Sequence, residues 1–283
     1  MPSLPTIQAD TVAVADRASH TGHFDAPAEQ AGGLAQPLFD YLLRLGDDSI
    51  ILGQRLTEWC GHAPAVEVDL SLANLALDLI GQGTLLLELA ATIEGGARDA
   101  DALAFHRDVL QYRNCLMVEQ PNGDFAQTMA RHFLFSTVQL ALFEGLAGST
   151  DPRLAGIAAK AVKELRYHVE LSGAWVVRLG RGTAESRRRM IDGFDWHWRF
   201  VDELFATDDI ERALVAEGIA VDRASLRPGF DAALASVLAE AGLELPSYPR
   251  GVLGGRKGHH SEHLGFLLAI MQFLPRTYPD AKW

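Results

Sequence analysis

The chain has 283 residues, 48% of them hydrophobic, two cysteines and a formal net charge of -12. That is enough apolar chain for one large helical domain or two small ones. The negative charge disfavours nucleic acid as a partner, and no apolar run reaches the roughly 18–20 residues that cross a bilayer. With no secretory leader, and with Cys60 and Cys115 as the only cysteines, a cytoplasmic protein with no membrane association is expected.

Residues 1–36 are rich in Ala, Asp, Gly and Pro without an apolar period, and read as a flexible N-terminal extension. Residues 37–283 read as a single helical domain. A first helix after Pro37 carries Leu38, Leu42, Leu45, Ser49, Leu52, Leu56 and Trp59 on one stripe, and Gly61 and Pro64 close it. A second carries Leu72, Leu75, Leu79, Gln82, Leu86, Leu89 and Ile93 and stops at Gly95-Gly96. A shorter helix is expected from Phe105 to about Val118. Asp124 and Gln127 make a capping pair for a third long helix with Phe125, Met129, His132, Ser136, Leu140 and Phe143 inward. Asp151-Pro152 opens a fourth, with Leu154, Ala158, Ala161, Leu165, His168, Ser172, Trp175 and Leu179 on its stripe. Further helices are expected over 184–206 and 259–274, with 208–218 and a helix-like piece over 223–242 between them.

Helices of this length run about 33–42 Å at 1.5 Å per residue. The stretch from Gly95 to Gly123 is long enough to cross between the second and the third. The expected fold is all-α: a ferritin-like four-helix bundle with additional C-terminal helices.

Carboxylate bundles of that shape hold two irons with a Glu on each of two helices and a Glu-x-x-His pair on each of the others. Here no Glu-x-x-His or Asp-x-x-His occurs anywhere. The position three after Asp78 is Gly81, and the position three before His168 is Leu165. Asp78, Glu164 and His168 remain as degenerate metal candidates, with Asp48 and Glu58 at the margin. No intact metal set, catalytic residue or cofactor site follows. The expected alternative to a metal is a buried polar network, with Gln82, Lys163 and Arg166 as available partners.

Other motifs leave their readings open. Cys60 in Trp59-Cys60-Gly61-His62 lacks a second Cys or His pair and fits helix-end packing. The basic loop Gly254-Gly255-Arg256-Lys257-Gly258-His259-His260 fits a solvated loop, a partner contact through Arg256, Lys257 and His260, or an anion site. His259, Glu262 and His263 would share a helix face, for capping or an interface. In Phe194-Asp195-Trp196-His197-Trp198-Arg199-Phe200, Trp196 and Phe200 face away from Phe194 and Trp198, as core or as partner surface.

Several blocks resemble one family: Leu45-Gly46-Asp47-Asp48, Gln54 through Pro64, Asp69 through Asn74, Leu77 through Gln82, Val118 through Gly123, Lys163 through His168, Glu217 through Asp222, Lys257-Gly258-His259, and Glu262 through Gly265. The chain from about Leu38 to Trp283 is similar to the structural C-subunit of the bacterial multicomponent phenylacetyl-CoA epoxidase. The resemblance implies a ferritin-like, non-catalytic subunit that pairs with a catalytic A-subunit and other epoxidase subunits in aerobic phenylacetate catabolism. It places the di-iron centre in the catalytic partner, and FAD and an iron–sulfur cluster in a reductase partner. The alternative function is an oxygenase subunit with its own degenerate di-iron site.

Overall fold

A computed structural model describes residues 33–96, 98–247, 251–279 and 281. Every regular element among them is helical: α1 (Ala35–Thr57), α2 (Val66–Glu94), α3 (Ala100–Phe105), α4 (Leu116–Glu119), α5 (Phe125–Leu146), α6 (Pro152–Gly180), α7 (Ala184–Trp198), α8 (Asp209–Ala216), α9 (Arg227–Ala241), α10 (Glu262–Met271) and α11 (Phe273–Thr277). Of the expected extension, residues 1–32 lie outside the described residues, and Ala35 and Gln36 already belong to α1.

The long helices α1, α2, α5 and α6 form the bundle, α1 lying along α2, α5 along α6, and α2 against α6. Their ends follow local chemistry. The Asp124 carboxylate accepts the Gln127 N–H at 2.9 Å, and Asp151 accepts the N–H groups of Arg153 and Leu154, with Pro152 in the first turn where no donor is needed. α1 and α2 approach closely because glycines face the partner helix. A Cβ at Gly46 would stand 2.8 Å from Leu87 Cδ2, and one at Gly83 would stand 2.7 Å from Ile50 Cγ1. Larger residues there would overpack the seam.

The apolar core falls into two clusters stacked along the bundle. One includes Leu52, Leu75, Leu79, Met129, Phe133 and Val176; the other includes Leu42, Leu86, Leu142, Leu154, Ala158 and Leu165. Between them lies a polar level with Ser49, Gln82, His132, Ser136, Gln139, His168 and Ser172, all buried.

A second layer covers the far side of α1. Arg44, Asp47, Asp48 and Arg55 sit on the α1 face turned away from the bundle axis, yet all four are buried. Arg44 pairs with Asp208 and with Glu211, which also holds Arg223. Asp47 binds Arg107 and accepts the Arg113 N–H at 2.8 Å. Asp48 accepts the Cys115 N–H at 2.7 Å and pairs with Arg256 at 2.7 Å. These contacts explain why no continuous helix runs from Phe105 to Val118. The segment breaks into the end of α3, a 3₁₀ turn at Val109–Gln111 and α4. Carboxylates from α1 take the N–H groups of Arg113 and Cys115, and Glu203 takes that of Leu116 at 2.6 Å.

Three other expectations are corrected. The helix expected over 184–206 ends at Trp198 and resumes as a 3₁₀ turn, Val201–Phe205. The C-terminal helix starts at Glu262 and breaks at Gln272, whose side chain donates to Arg107 O at 2.9 Å. By length and composition alone α2 is apolar enough to cross a membrane, against the expectation that no segment would be. It packs along α1 and α6, and a bundle helix passes the same test.

Asp47→Ala leaves Arg107 buried without its carboxylate. It is expected to lower the unfolding free energy by about 3–5 kcal/mol in a urea titration. A loss below about 1 kcal/mol, the range of exposed ion pairs, would mean that apolar contacts alone hold the crossover.

Candidate functional site

The polar level between the two core clusters is where a carboxylate bundle would hold metal. α2 supplies Asp78 and Gln82 at i, i+4; α6 supplies Glu164 and His168 with the same spacing. His168 Nε2 lies 3.3 Å from Asp78 Oδ2, and Gln82 Nε2 donates to Glu164 Oε2 at 2.8 Å. The His132 ring lies 5.1 Å from that of His168, centroid to centroid. Ser172 turns its hydroxyl back to His168 O at 2.6 Å. A cleft of about 140 Å³ between α2 and α6 reaches this level, lined by Leu77, Asp78, Gly81, Gln82, Lys160 and Glu164 among others.

Several atoms at this level have no hydrogen-bond partner among the described residues: both His132 ring nitrogens, His168 Nδ1, Ser136 Oγ, Gln139 Nε2 and Gln82 Oε1. Buried polar atoms left this way cost free energy. Burial, then the neighbouring His168 and Arg131, hold His132 well below the usual imidazole range.

The donor set does not fit a di-iron centre. Bridging two irons requires several carboxylates converging at one level. Among the described residues no group of three or more His, Cys, Asp or Glu side chains is placed to hold a metal ion. Glu164 turns to Gln82, and the Asp78 side chain is one-third exposed. Leu165, three before His168, is buried in the apolar core. Asp48 is engaged by Arg256, and Glu58 pairs with Arg55 and accepts from Asn122. Of the other expected partners, Lys163 is exposed and Arg166 pairs with Glu144 at the surface.

The expected interface residues separate into two groups. Lys257 is exposed, and Trp196 is 37% exposed with Arg199 stacked on its ring. Phe200, Arg256 and His260 turn inward. Phe200 packs in the core. Arg256 donates to Asp48 and to the carbonyls of Arg44 and Arg113; burial alone would lower its pKa, but Asp48 beside it more than offsets this and raises it. His260 lies between Glu119 Oε2 at 2.7 Å and Tyr112 O at 3.0 Å. The loop is glycine-rich because it lies against the crossover: a Cβ at Gly255 would stand 2.1 Å from Asn114 O, and Gly258 has φ +80°. Cys60 is exposed rather than packed at a helix end.

Sequence reasoning missed Glu119 and Glu203. Glu119 gathers His260, Ser261 and Asn114, and Glu203 accepts the N–H groups of Leu116, Gly254 and Gly255. Neither lies on a periodic stripe; Glu119 stands just before the Gln120-Pro121-Asn122-Gly123 turn, and nothing around Glu203 in the sequence hints at a role.

The family described as "Phenylacetic acid catabolic protein" matches residues 21–283. The chain is 49% identical over 243 residues to the C-subunit of the 1,2-phenylacetyl-CoA epoxidase of Escherichia coli (strain K12), covering 86% of this chain and 98% of that relative. The chain belongs to the phenylacetic acid catabolic protein family.

His132 and His197 are both fully buried, and burial first, then nearby positive groups, lowers both pKa values. They stay neutral in the folded chain while the unfolded chain takes up protons below about pH 6.5. Stability present above that pH is therefore lost as pH falls, by up to about 1.4 kcal/mol per pH unit for each histidine. Urea unfolding across this window should show His132→Phe removing one histidine's share of the slope; an unchanged slope would contradict neutral burial.

Proposed function

We propose that this chain is the non-catalytic structural subunit of a multicomponent oxygenase that epoxidises the ring of phenylacetyl-CoA. Its partner in this reading is a catalytic subunit that holds the di-iron centre, with FAD and iron–sulfur chemistry in a reductase subunit. The observation that carries the reading is the polar level at mid-bundle, where Glu164 takes Gln82 and Asp78 takes His168, and no three carboxylate, imidazole or thiol groups among the described residues converge as ligands. The relationship to the C-subunit of the Escherichia coli epoxidase supports the same assignment.

In this reading the chain contributes a rigid helical body. The buried pairs on α1 fix the second layer against the bundle, so the outer faces keep one shape for a partner to meet. The rival reading gives this chain its own iron through Asp78, Glu164, His168 and Glu58. The turn of Glu164 toward Gln82 and the exposure of Asp78 count against it.

The test is co-expression of the catalytic subunit with and without this chain. Omission is expected to lower both the yield of folded catalytic subunit and its turnover; equal yield and turnover would contradict a scaffold. In the assembled complex, Glu164→Ala and His168→Ala are expected to leave turnover within about twofold while lowering stability by about 1–3 kcal/mol. Abolished turnover in an intact complex would favour the rival.

A further inference from the structure

The second layer covers the α1 side of the bundle, but none of the described residues covers the outer face of α2. Val66, Leu70 and Leu77 are 73%, 61% and 66% exposed. At 100° per residue they fall on one stripe with Ala73, Gly81 and Thr84. Less than half of the most apolar stretch of this helix is buried. Solvent-facing leucines aligned in this way, with small residues between them, make a ridge-and-groove surface for another helix.

The charges around the stripe define what fits it. α2 carries no Lys or Arg; its charged residues are Glu67, Asp69, Asp78, Glu88 and Glu94. Glu94 pairs with Arg98. Glu88 lies on the stripe and has a buried carboxylate oxygen without a partner among the described residues. Burial, then Asp101 nearby, raises its pKa. Beside the stripe, the cleft between α2 and α6 holds Asp78, Glu164 and the Oε1 of Gln82, a side chain 3% exposed whose oxygen has no partner among the described residues; Lys160 is the one cation among the described lining residues. Both places offer more acceptors than donors.

We infer that the outward stripe of α2 docks an apolar helix of a different subunit, flanked by Lys or Arg side chains that reach Glu88 and the acceptor-lined cleft at Gln82. This rests on the scaffold reading and names the surface through which it acts. A second copy of the chain fits poorly, because pairing α2 with α2 would bring Glu67 and Glu88 against further carboxylates.

The test is co-purification of this chain on a tagged catalytic subunit, using full-length chains expressed together. Leu70→Arg with Leu77→Arg changes only exposed positions, so the chain should keep its circular dichroism and melting temperature. Recovery is expected to fall about tenfold or more, as for charges placed in an interface core, and Glu88→Lys is expected to lower it as well. Phe266→Arg with Ile270→Arg, on the exposed apolar face of α10, is the control and should keep most of the recovery. Undiminished recovery of the α2 variant, or loss confined to the α10 variant, overturns the inference. So does a wild-type self-association that the α2 variant abolishes while recovery stays intact. A wild-type chain that is not recovered at all removes the scaffold reading, and this inference with it.

Discussion

The arrangement depends on the charged face of α1. Arg44, Asp48 and Arg55 follow one another along the helix at i, i+4 and i+11, with Asp47 beside them. In an isolated bundle that face would meet water. Here every member is buried and answered by another segment: Asp208, Glu211, Arg107, Arg256 and the backbone carbonyls of Glu119 and His263. Buried ion pairs are weak evidence for net stability, because desolvation offsets much of the attraction. Their effect is on placement. A crossover or loop seated elsewhere would leave a charge buried alone, which costs several kcal/mol per ion.

The same logic divides what is legible in the sequence from what is not. The four long helices follow from leucine spacing and from local caps at Asp124 and Asp151, which involve neighbours in the chain. The second layer is set by pairs far apart in the chain, such as Arg107 with Asp47 and Arg256 with Asp48, 60 and 208 residues away. No period or spacing encodes them. The crossover therefore reads as a helix in sequence, although distant carboxylates take its N–H groups. Arg256, His260 and Phe200 read as partner surface, because a basic, glycine-rich loop and an aromatic cluster look exposed when their acceptors and core neighbours are out of view.

At mid-bundle the sequence is more informative. The missing His three residues after a carboxylate is visible directly, and the structure places Leu165, three before His168, in the apolar core. The pairing of Gln82 with Glu164 and of Asp78 with His168 emerges only in three dimensions. What remains is a polar level enclosed by two apolar clusters, inside a body whose described residues leave α2 exposed along its outer face. Those features suit a subunit whose contribution to the proposed epoxidase is a surface of fixed shape.

The central claim is that this bundle does not hold the irons. Elemental mass spectrometry of the chain, purified alone from iron-replete cells, tests it most directly. The account predicts iron far below one atom per chain. About two irons per chain would contradict it and return Asp78, Glu164 and His168 to the role of ligands.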